Sequence, residues 1–439
     1  MKIRNVISNL VVMILLFMSG ISQAASGEDI PIVVSIMLNK AQILASRGKV
    51  EEAIKTLTDF QDKGKEMDST AAEKQGYSHC NIDYAIGNYY LMLSQPEAAA
   101  MHYQSAVQKK NDFSEAWLNL AKCRYDLDRM KPAGDAFLKG YETGSPGSAK
   151  SLYFSAVCYA GAEDYAASYA VFHRLLETHP QDIELEWKGS FVQVLLALSK
   201  SMEALPHIEE LAEKTDGEKQ KKWREMLLYQ YMALNMETKA LNYAKWLTCV
   251  DTLEPKWWKT LAHLHLQKDT YEKALTALMA YGFLTPLSPE EISLVGDICL
   301  ALEIPDQAIK YYDIQSREAV DPKTVKKLVQ AYMRLYDRET ALVWVDKIEN
   351  QEKQPDLLML KGNLLFEMER FSEAAVVFQQ LSKNNHDHHE KGKSFLMLGY
   401  AAWNDGNVDQ AKRAFEQAIK FEKQRKEAEK ALKQLKGKP

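Results

Sequence analysis

The sequence predicts an all-α fold, a right-handed superhelical solenoid of about ten to eleven helix hairpins with a C-terminal capping helix. Three observations predict it. A small residue recurs at intervals of 33 to 37 residues over most of the chain. Large apolar residues accompany it at helical spacing. The chain has 20 glycines and 13 prolines among 439 residues, too few turn formers for a β-rich fold.

The first residues have the layout of a secretory signal peptide. Two basic residues precede the apolar run Leu10–Met18, and small residues follow it. This order predicts export, with cleavage between Ala24 and Ala25, so that residues 1–24 are removed from the mature protein. The alternative is an uncleaved membrane anchor, for which the apolar run is short.

The mature chain is predicted to be mildly acidic. Its net charge changes from −5 to −7 when Lys2 and Arg4 are removed with the signal peptide. A chain of this charge lacks the basic surface that nucleic acids require. We therefore expect no nucleic-acid partner.

The cysteines are expected to pack as small apolar residues. They are odd in number and widely spaced, and none forms a C-x-x-C pair: Cys80, Cys123, Cys158, Cys249 and Cys299. Several fall on predicted apolar helix faces, where a thiol behaves as a small hydrophobe. A disulfide between Cys123 and Cys158 is the alternative in an oxidising compartment.

After the predicted signal peptide comes a degenerate hairpin. Its helices are expected at Ile32–Leu44 and Val50–Phe60, with Ala53 as the small residue of the second helix. Residues 61–74 are polar and charged, which predicts a longer linker or an extended helix end. Residues 25–74 are therefore treated as a segment of their own.

The register of the repeats is regular through residues 75–250 and 251–419, the two halves of the predicted solenoid. A small residue is expected near the start of each second helix, because the two helices of a hairpin touch there and a larger side chain would push them apart. It falls at Ala99, Ala133, Ser168, Ala204, Ala240, Ala274, Ala308, Ala341, Ala374 and Ala411. The aromatic residues that recur around it are expected to form the core.

The stretch Trp257–Tyr281 is the cleanest copy of the repeating unit. Leu261 and Ala262 mark one helical face, a polar break allows a turn, and Ala274 and Leu278 mark a second face. This order of large and small residues resembles the tetratricopeptide repeat. The resemblance implies a helix-turn-helix unit and a concave surface, lined by first helices, that suits an extended peptide or a partner helix.

Two places depart from the repeat pattern. The unit Trp187–Leu211 has Val192 where a small first-helix residue is expected, and Pro206 lies within its second helix. We expect that helix to kink or to start late. Residues 384–393 lengthen the last interval to 37 and are expected to form a loop between hairpins.

Residues 420–439 are predicted to form a Lys-rich capping helix and tail. Phe421, Ala428, Leu432 and Leu435 share one side of this helix and would cover the last hydrophobic face of the array. The segment has eight basic residues against three acidic ones. A peripheral association with anionic lipid is therefore the alternative role.

No known enzyme motif occurs in the sequence. We therefore expect no catalytic residue, no cofactor and no small-molecule substrate. The one cluster with metal-ligand chemistry is His386, Asp387, His388 and His389, which are too close in sequence to converge easily on one tetrahedral ion. A solvated loop is expected there, and a metal-dependent regulator is the alternative.

The candidate partner-binding residues are those that the repeat register assigns to the concave face. They are Tyr84, Asn88, Lys122, Tyr125, Tyr229, Lys259, His263, Asp297, Gln330, Asn363, Phe366, Tyr400 and Trp403. Aromatic residues contribute disproportionately to protein interfaces. Tyr400 and Trp403 are therefore the first anchor candidates, unless neighbouring helices or the cap cover them.

From about Trp223 onward, the order of features is similar to a more specific family. In order they are the Trp257–Trp258 hairpin, YGFLT at 281–285, Leu300 and Ile304–Pro305 before Ala308, Gly362, and the Leu398–Gly399 hairpin with its Lys-rich end. These features resemble a family of bacterial exported tetratricopeptide proteins described as components of the TonB transport system. The resemblance implies a periplasmic accessory protein working beside TonB and the proton-driven motor subunits of the inner membrane.

The function expected from the sequence is thus that of a non-catalytic periplasmic adaptor, whose groove binds TonB, the motor subunits or another part of that system. A scaffold for outer-membrane protein, pilus or polysaccharide export assembly is the alternative within the same class of protein-binding molecules.

Overall fold

The computed structural model describes residues 30–144, 147–318, 321–348, 354–384 and 388–436. Within these residues there are 24 helices and no strand, which confirms the all-helical repeat fold. None of the helices described is long and apolar enough to cross a membrane. The predicted signal peptide lies outside the described residues.

The chain divides into two compact units, Met1–Asn235 and Met236–Pro439. The described helices of the first unit are α1 (Ile32–Ser46), α2 (Val50–Lys65), α3 (Ser69–Lys74), α4 (Cys80–Met92), α5 (Pro96–Lys109), α6 (Ser114–Asp126), α7 (Met130–Thr143), α8 (Ala149–Gly161), α9 (Tyr165–Thr178), α10 (Leu185–Ala197), α11 (Ser201–Lys214) and α12 (Gly217–Ala233).

Those of the second unit are α13 (Glu237–Val250), α14 (Pro255–Leu266), α15 (Tyr271–Leu284), α16 (Pro289–Ala301), α17 (Pro305–Glu318), α18 (Pro322–Arg334), α19 (Arg338–Asp346), α20 (Pro355–Glu367), α21 (Phe371–Asn384), α22 (His388–Asn404), α23 (Val408–Ala418) and α24 (Glu422–Lys436). We call α1, α4, α6, α8, α10, α12, α14, α16, α18, α20 and α22 first helices. The helix that follows each of them is its second helix.

The first hairpin, α1 and α2, forms where the sequence predicts it. Ala53 is fully buried at the contact of the two helices. The helix α2 continues to Lys65, and the short helix α3 occupies the end of the predicted linker. The polar segment 61–74 is therefore largely helical.

The predicted small residue is buried in every repeat. All ten residues of the series that runs from Ala99 to Ala411 have 0% exposure. Glycines on first helices face aromatic rings on second helices: a Cβ atom on Gly87 would lie 2.7 Å from the Tyr103 ring, and one on Gly296 would clash with the Tyr312 ring. Tyr103 and Tyr312 are fully buried, which confirms for them the expectation that the recurring aromatic residues are core.

Each turn between a first and a second helix contains a residue with a left-handed backbone. It lies five positions before the small residue of its hairpin: Gly48, Ser94, Asp128, Glu163, Ser199, Asn235, Asp269, Glu303, Tyr336, Glu369 and Gly406, all with positive φ. This conformation lets the next backbone N–H turn back to the end of the first helix. The Gln95 N–H, for example, donates to the Tyr90 carbonyl at 2.9 Å.

The repeat with Val192 keeps its packing because a larger residue on the first helix is matched by a smaller one on the second helix. Valine stands where four other repeats have glycine, and Ile208, sixteen positions later, stands where those four have an aromatic ring; both side chains are fully buried. The helix α11 begins at Ser201, three residues before Ala204, as α5 begins three residues before Ala99. The expected late start is therefore wrong, because Pro206 removes one backbone donor only after the helix has begun.

The predicted loop at 384–393 is shorter than expected. The helix α21 ends at Asn384 and α22 begins at His388, so residues 388–393 are helical. The predicted capping helix is present as α24, which packs on α22 and α23. It buries Ala428, Ala431 and Leu435 in a cluster with Phe415.

None of the five cysteines forms a disulfide, so Cys123 and Cys158 are not joined. Cys80, Cys123, Cys158 and Cys299 are buried, and Cys249 is exposed. Burial raises the pKa of the Cys123 and Cys158 thiols to about 12. These two thiols are therefore protonated at neutral pH and act as small apolar side chains.

Candidate functional site

Ion pairs join consecutive first helices of the second unit. The Lys259 ammonium lies 2.7 Å from a Glu291 carboxylate oxygen, which links α14 to α16. Lys327 donates to Asp297 at 2.7 Å, which links α18 to α16. Lys326 donates to Asp356 at 2.6 Å, which links α18 to α20. The helices α14, α16, α18 and α20 therefore share one charged surface, which we call the first-helix face.

These ion pairs depend on the repeat register. Lys259, Ser293 and Lys326 occupy the same position in three successive repeats, as do His263, Asp297, Gln330 and Asn363. Equivalent positions on stacked hairpins point to the same surface, so one helix's lysine reaches the carboxylate of the next. Hydrogen bonding to Glu291 raises the pKa of the Lys259 ammonium. Burial alone would raise the pKa of the Glu291 carboxyl, but Lys259 and the Ser288 N–H hold it below its ordinary value.

A cleft of about 450 Å³ opens on this face between α16 and α18. Its lining residues are Pro289, Glu290, Ser293, Leu294, Asp297, Asp321, Lys323, Thr324 and Lys327. Seven of the nine lining residues carry a charged or hydroxyl group beside their apolar stems, so a bound peptide would find hydrogen-bonding partners there.

Asp297 and Lys327, which both line the cleft, are held in place by hydrogen bonds. Lys327 donates to the Ser293 hydroxyl at 2.8 Å as well as to Asp297. The second carboxylate oxygen of Asp297 accepts a hydrogen bond of 2.6 Å from the Tyr312 hydroxyl. Tyr312 is fully buried, and burial raises the pKa of its hydroxyl, which stays protonated as a donor. The carboxylate is thus oriented from inside the protein, while its side chain remains 46% exposed.

Several residues predicted from the sequence lie on the first-helix face. His263 and Gln330 are exposed on α14 and α18, and Lys259 and Asp297 belong to the ion pairs described above. Asn363 is half-buried on α20. Phe366 is also half-buried, because its ring packs on Phe371, with centroids 5.3 Å apart, and against the core.

Tyr400 and Trp403, the first anchor candidates, are half-buried in the C-terminal core. Both rings meet Phe415 edge-on, with centroid distances of 5.2 Å and 6.3 Å. The Tyr400 hydroxyl donates to Glu427 of the cap at 3.1 Å. Burial, followed by the neighbouring carboxylate, raises the pKa of Tyr400 to about 12. The cap thus covers part of the surface that these rings would offer.

In the first unit, predicted residues near the start of the repeats are tied into an internal network. The Tyr103 hydroxyl donates to the side-chain amide oxygen (Oδ1) of Asn88 at 2.6 Å. The Asn119 amide donates to that same oxygen at 3.2 Å and to the Tyr84 hydroxyl at 3.3 Å. The structure therefore brings Tyr84 and Asn88 together and orients them.

The other predicted residues of the first unit are placed separately. Lys122 and Tyr125 are half-buried on α6. Tyr229 on α12 is 63% exposed, which makes it the most accessible of the predicted aromatic residues.

Sequence reasoning missed Asn119, Ser293, Lys326 and Lys327. Ser293 and Lys326 could have been found, because they occupy the position of Lys259 in the next two repeats. Lys327 and Asn119 could not, because they occupy a repeat position that was not assigned to the concave face. Their roles follow from side-chain reach across neighbouring helices.

The histidine cluster offers no described metal site. His386 and Asp387 lie outside the described residues, as do the side chains of His388 and His389. Among the residues that the structure describes, no group of three or more His, Cys, Asp or Glu side chains is arranged to hold a metal ion.

Stacked helix hairpins with an exposed, polar first-helix surface define a helical repeat protein of the kind that binds other proteins. Two segments, residues 84–149 and 392–425, match family models described as the tetratricopeptide repeat. These two segments are therefore tetratricopeptide repeats. No curated protein matches it.

Several solved structures are similar to the chain. "Structure of Naa15/Naa10 bound to HypK-THB" has 14% identity and a TM-score of 0.41, covering 90% of this chain and 59% of that one. The chain thus spans less than two thirds of that relative. The yeast Tom70 structure has 14% identity and a TM-score of 0.30, covering 92% and 95%. A tetratricopeptide repeat protein from Parabacteroides merdae has 12% identity and a TM-score of 0.31, covering 69% and 99%.

Proposed function

We propose that this protein is a non-catalytic adaptor of the periplasm that binds a segment of another protein along the first-helix face of its second unit. The observation that carries the proposal is the cleft between α16 and α18, in which Asp297 and Lys327 are held in place by Tyr312 and Ser293. Such preoriented, exposed polar groups can exchange hydrogen bonds with a bound peptide at little cost in side-chain entropy.

The composition of the face favours binding over chemistry. Its charged groups are paired across helices, and the positions between them hold His263, Gln330 and Asn363, which donate and accept hydrogen bonds. The sequence also contains no known enzyme motif. The proposed partner is TonB or a subunit of the associated inner-membrane motor, a choice supported by the family resemblance of the region from Trp223 onward.

The test is photo-crosslinking in the native cell, with the probe placed at His263 and at Gln330 on the first-helix face. The control probe is at Lys310, which is exposed on the second helix α17 of the same unit. Adducts with TonB or motor subunits, stronger than those at Lys310, are the expected result. Adducts with proteins of outer-membrane, pilus or polysaccharide export assembly would keep the adaptor role and overturn the TonB assignment. If neither probe gave more adduct than the Lys310 control, the first-helix face would be rejected as the binding surface.

A further inference from the structure

A row of exposed charged residues alternates in sign along the second unit. Each lies six positions before the small or β-branched first-helix residue that faces the second helix, as Glu290 does before Gly296. The row is Lys256, Glu290, Lys323, Asp356 and Lys393, on α14, α16, α18, α20 and α22, and all five residues are exposed. The signs run plus, minus, plus, minus, plus.

The first unit has an alternating row of its own. At the equivalent positions α1 and α4 have the uncharged Ser35 and Asn81, and the charged row follows with Glu115, Lys150, Glu186 and Lys222 on α6, α8, α10 and α12, all four of which are exposed. The signs run minus, plus, minus, plus. The alternation therefore occurs independently in each of the two compact units.

Helix stability does not account for this alternation. Glu115, Glu186, Glu290 and Asp356 are each the second residue of their helix, where the helix dipole favours a negative charge. Lys150, Lys256 and Lys323 occupy the same second place in α8, α14 and α18, where the dipole opposes a positive charge. An acidic residue at Lys150, Lys256 and Lys323 would stabilise these helices better.

In the second unit the row borders the cleft already described. Glu290 and Lys323 both line it, from opposite sides. Lys326 reaches Asp356 of the same row at 2.6 Å. Beside the row lie His263, Asp297, Gln330 and Asn363, one in each successive repeat. A partner lying across the helices would meet alternating charges along one side and hydrogen-bonding groups along the other.

We infer that the first-helix face of the second unit takes an extended partner segment whose side-chain charges alternate in sign at about every third residue. Packed helices lie about 8–10 Å apart, and an extended chain rises about 3.3 Å per residue, so one repeat corresponds to about three residues. An extended chain also leaves its backbone N–H and C=O groups open to the amide and imidazole side chains of the face, whereas a helix satisfies its own. The inference rests on the proposed function and names the chemistry of the partner.

Two fluorescent peptides of identical composition test the inference on the full mature chain. In one, Glu and Lys alternate at every third position with Ser and Ala between them; in the other, the Glu residues come first and the Lys residues last. Binding is followed by fluorescence anisotropy. The alternating peptide is expected to bind at least about tenfold more tightly than the block peptide, and the difference should disappear in 1 M salt, where charges are screened beyond about 3 Å. Equal affinity of the two peptides would overturn the inference.

The variant Lys323→Glu changes the row to plus, minus, minus, minus, plus without threatening the fold, because the dipole of α18 favours the new carboxylate. The affinity of this variant for the alternating peptide is expected to be about tenfold lower. The variant is expected to bind instead a peptide in which the three central charged positions are all Lys. Lys310→Glu, the same charge change on α17, should leave both affinities as they are. An unchanged affinity in Lys323→Glu would refute the role of the row.

The two proposals fail in different ways. If partner adducts form at His263 but both peptides bind equally, the adaptor role stands and the requirement for alternating charges in the partner, which we call the charge rule, is rejected. Selective binding of the alternating peptide without any cellular adduct would keep the charge rule for the face and reject its use in the cell.

Discussion

The contact between Gly362 and Phe378 gives a sharp test of how the repeats are packed. The Phe378 ring is fully buried, and a Cβ atom added to Gly362 would lie 2.5 Å, 2.7 Å and 2.9 Å from three of its atoms. The change Gly362→Ala gains about 1 kcal/mol of helix propensity. Overpacking a rigid core costs about 1–3 kcal/mol, and a clash with three ring atoms belongs at the upper end. We therefore expect a net destabilisation of about 1–2 kcal/mol.

A smaller partner should relieve the clash. The preceding repeats provide a working combination, since Ala262 and Leu278 occupy the equivalent positions and are both buried. Phe378→Leu alone leaves unfilled volume and is expected to cost about 1–2 kcal/mol. The double variant Gly362→Ala with Phe378→Leu should be more stable than the sum of the single changes by at least about 1 kcal/mol.

Denaturant unfolding, followed by far-ultraviolet circular dichroism, measures these differences as shifts of the midpoint at constant slope. Gly161→Ala is the control, because a Cβ atom there would meet Met130 at an ordinary contact distance of 3.5 Å. That variant should be neutral or stabilised. If Gly362→Ala were stabilised to the same degree, or if the two changes at Gly362 and Phe378 were additive within about 0.5 kcal/mol, the packing argument would be refuted.

Three further predictions concern strain, pH and processing. Tyr336 has φ 59° and is 79% exposed, so its backbone is strained while its ring makes little packing contact. Tyr336→Gly should therefore raise the free energy of unfolding, measured by thermal denaturation, by about 1 kcal/mol. A lower free energy of unfolding would mean that the ring is needed for packing. Although partial burial opposes ionisation, His173, Lys200 and Tyr169 lower the pKa of Glu203 to about 2. Its charged form therefore stabilises the fold above about pH 4.5. The stability difference between the natural protein and Glu203→Gln should shrink as the pH falls toward 2, and a difference independent of pH would contradict this. Amino-terminal sequencing of the mature protein should begin at Ala25, in the periplasmic fraction; an intact Met1 would refute cleavage.

The repeat register could be predicted because one packing constraint recurs in a readable form. Ala99 and its equivalents cannot be enlarged without separating two helices, so the sequence keeps a small residue at each contact. The left-handed turn was not predicted, although it recurs as regularly. Serine, aspartate, glutamate, asparagine and tyrosine all occupy it, because the backbone bonds on either side impose the conformation and no side chain signals it.

The sequence was enough to predict which residues lie on the candidate site, but not which side chains contact each other there. Equivalent spacing identified Lys259, His263 and Asp297, since one helical position points to one surface. The pairing of Lys327 with Asp297 depends on how far a flexible side chain reaches across two helices, which periodicity does not encode. The partial covering of Tyr400 depends on the angle at which α24 returns over α22, which is a property of the packed cap.

Replacing a lysine of the row should change stability and binding in opposite directions, which allows the two roles to be distinguished. A side chain kept only for the fold should destabilise the protein when it is replaced, and any loss of binding would follow from unfolding. Lys256 and Lys323 lie where the helix dipole disfavours them, so a change to Glu should raise stability by about 0.3–1 kcal/mol. The same change places three like charges in succession on the face at Lys323 and two at Lys256, and each should lower the affinity for an alternating segment. Effects of opposite sign from one substitution cannot arise from general unfolding, and therefore a more stable protein that binds less tightly is the specific signature of a charged row that serves recognition.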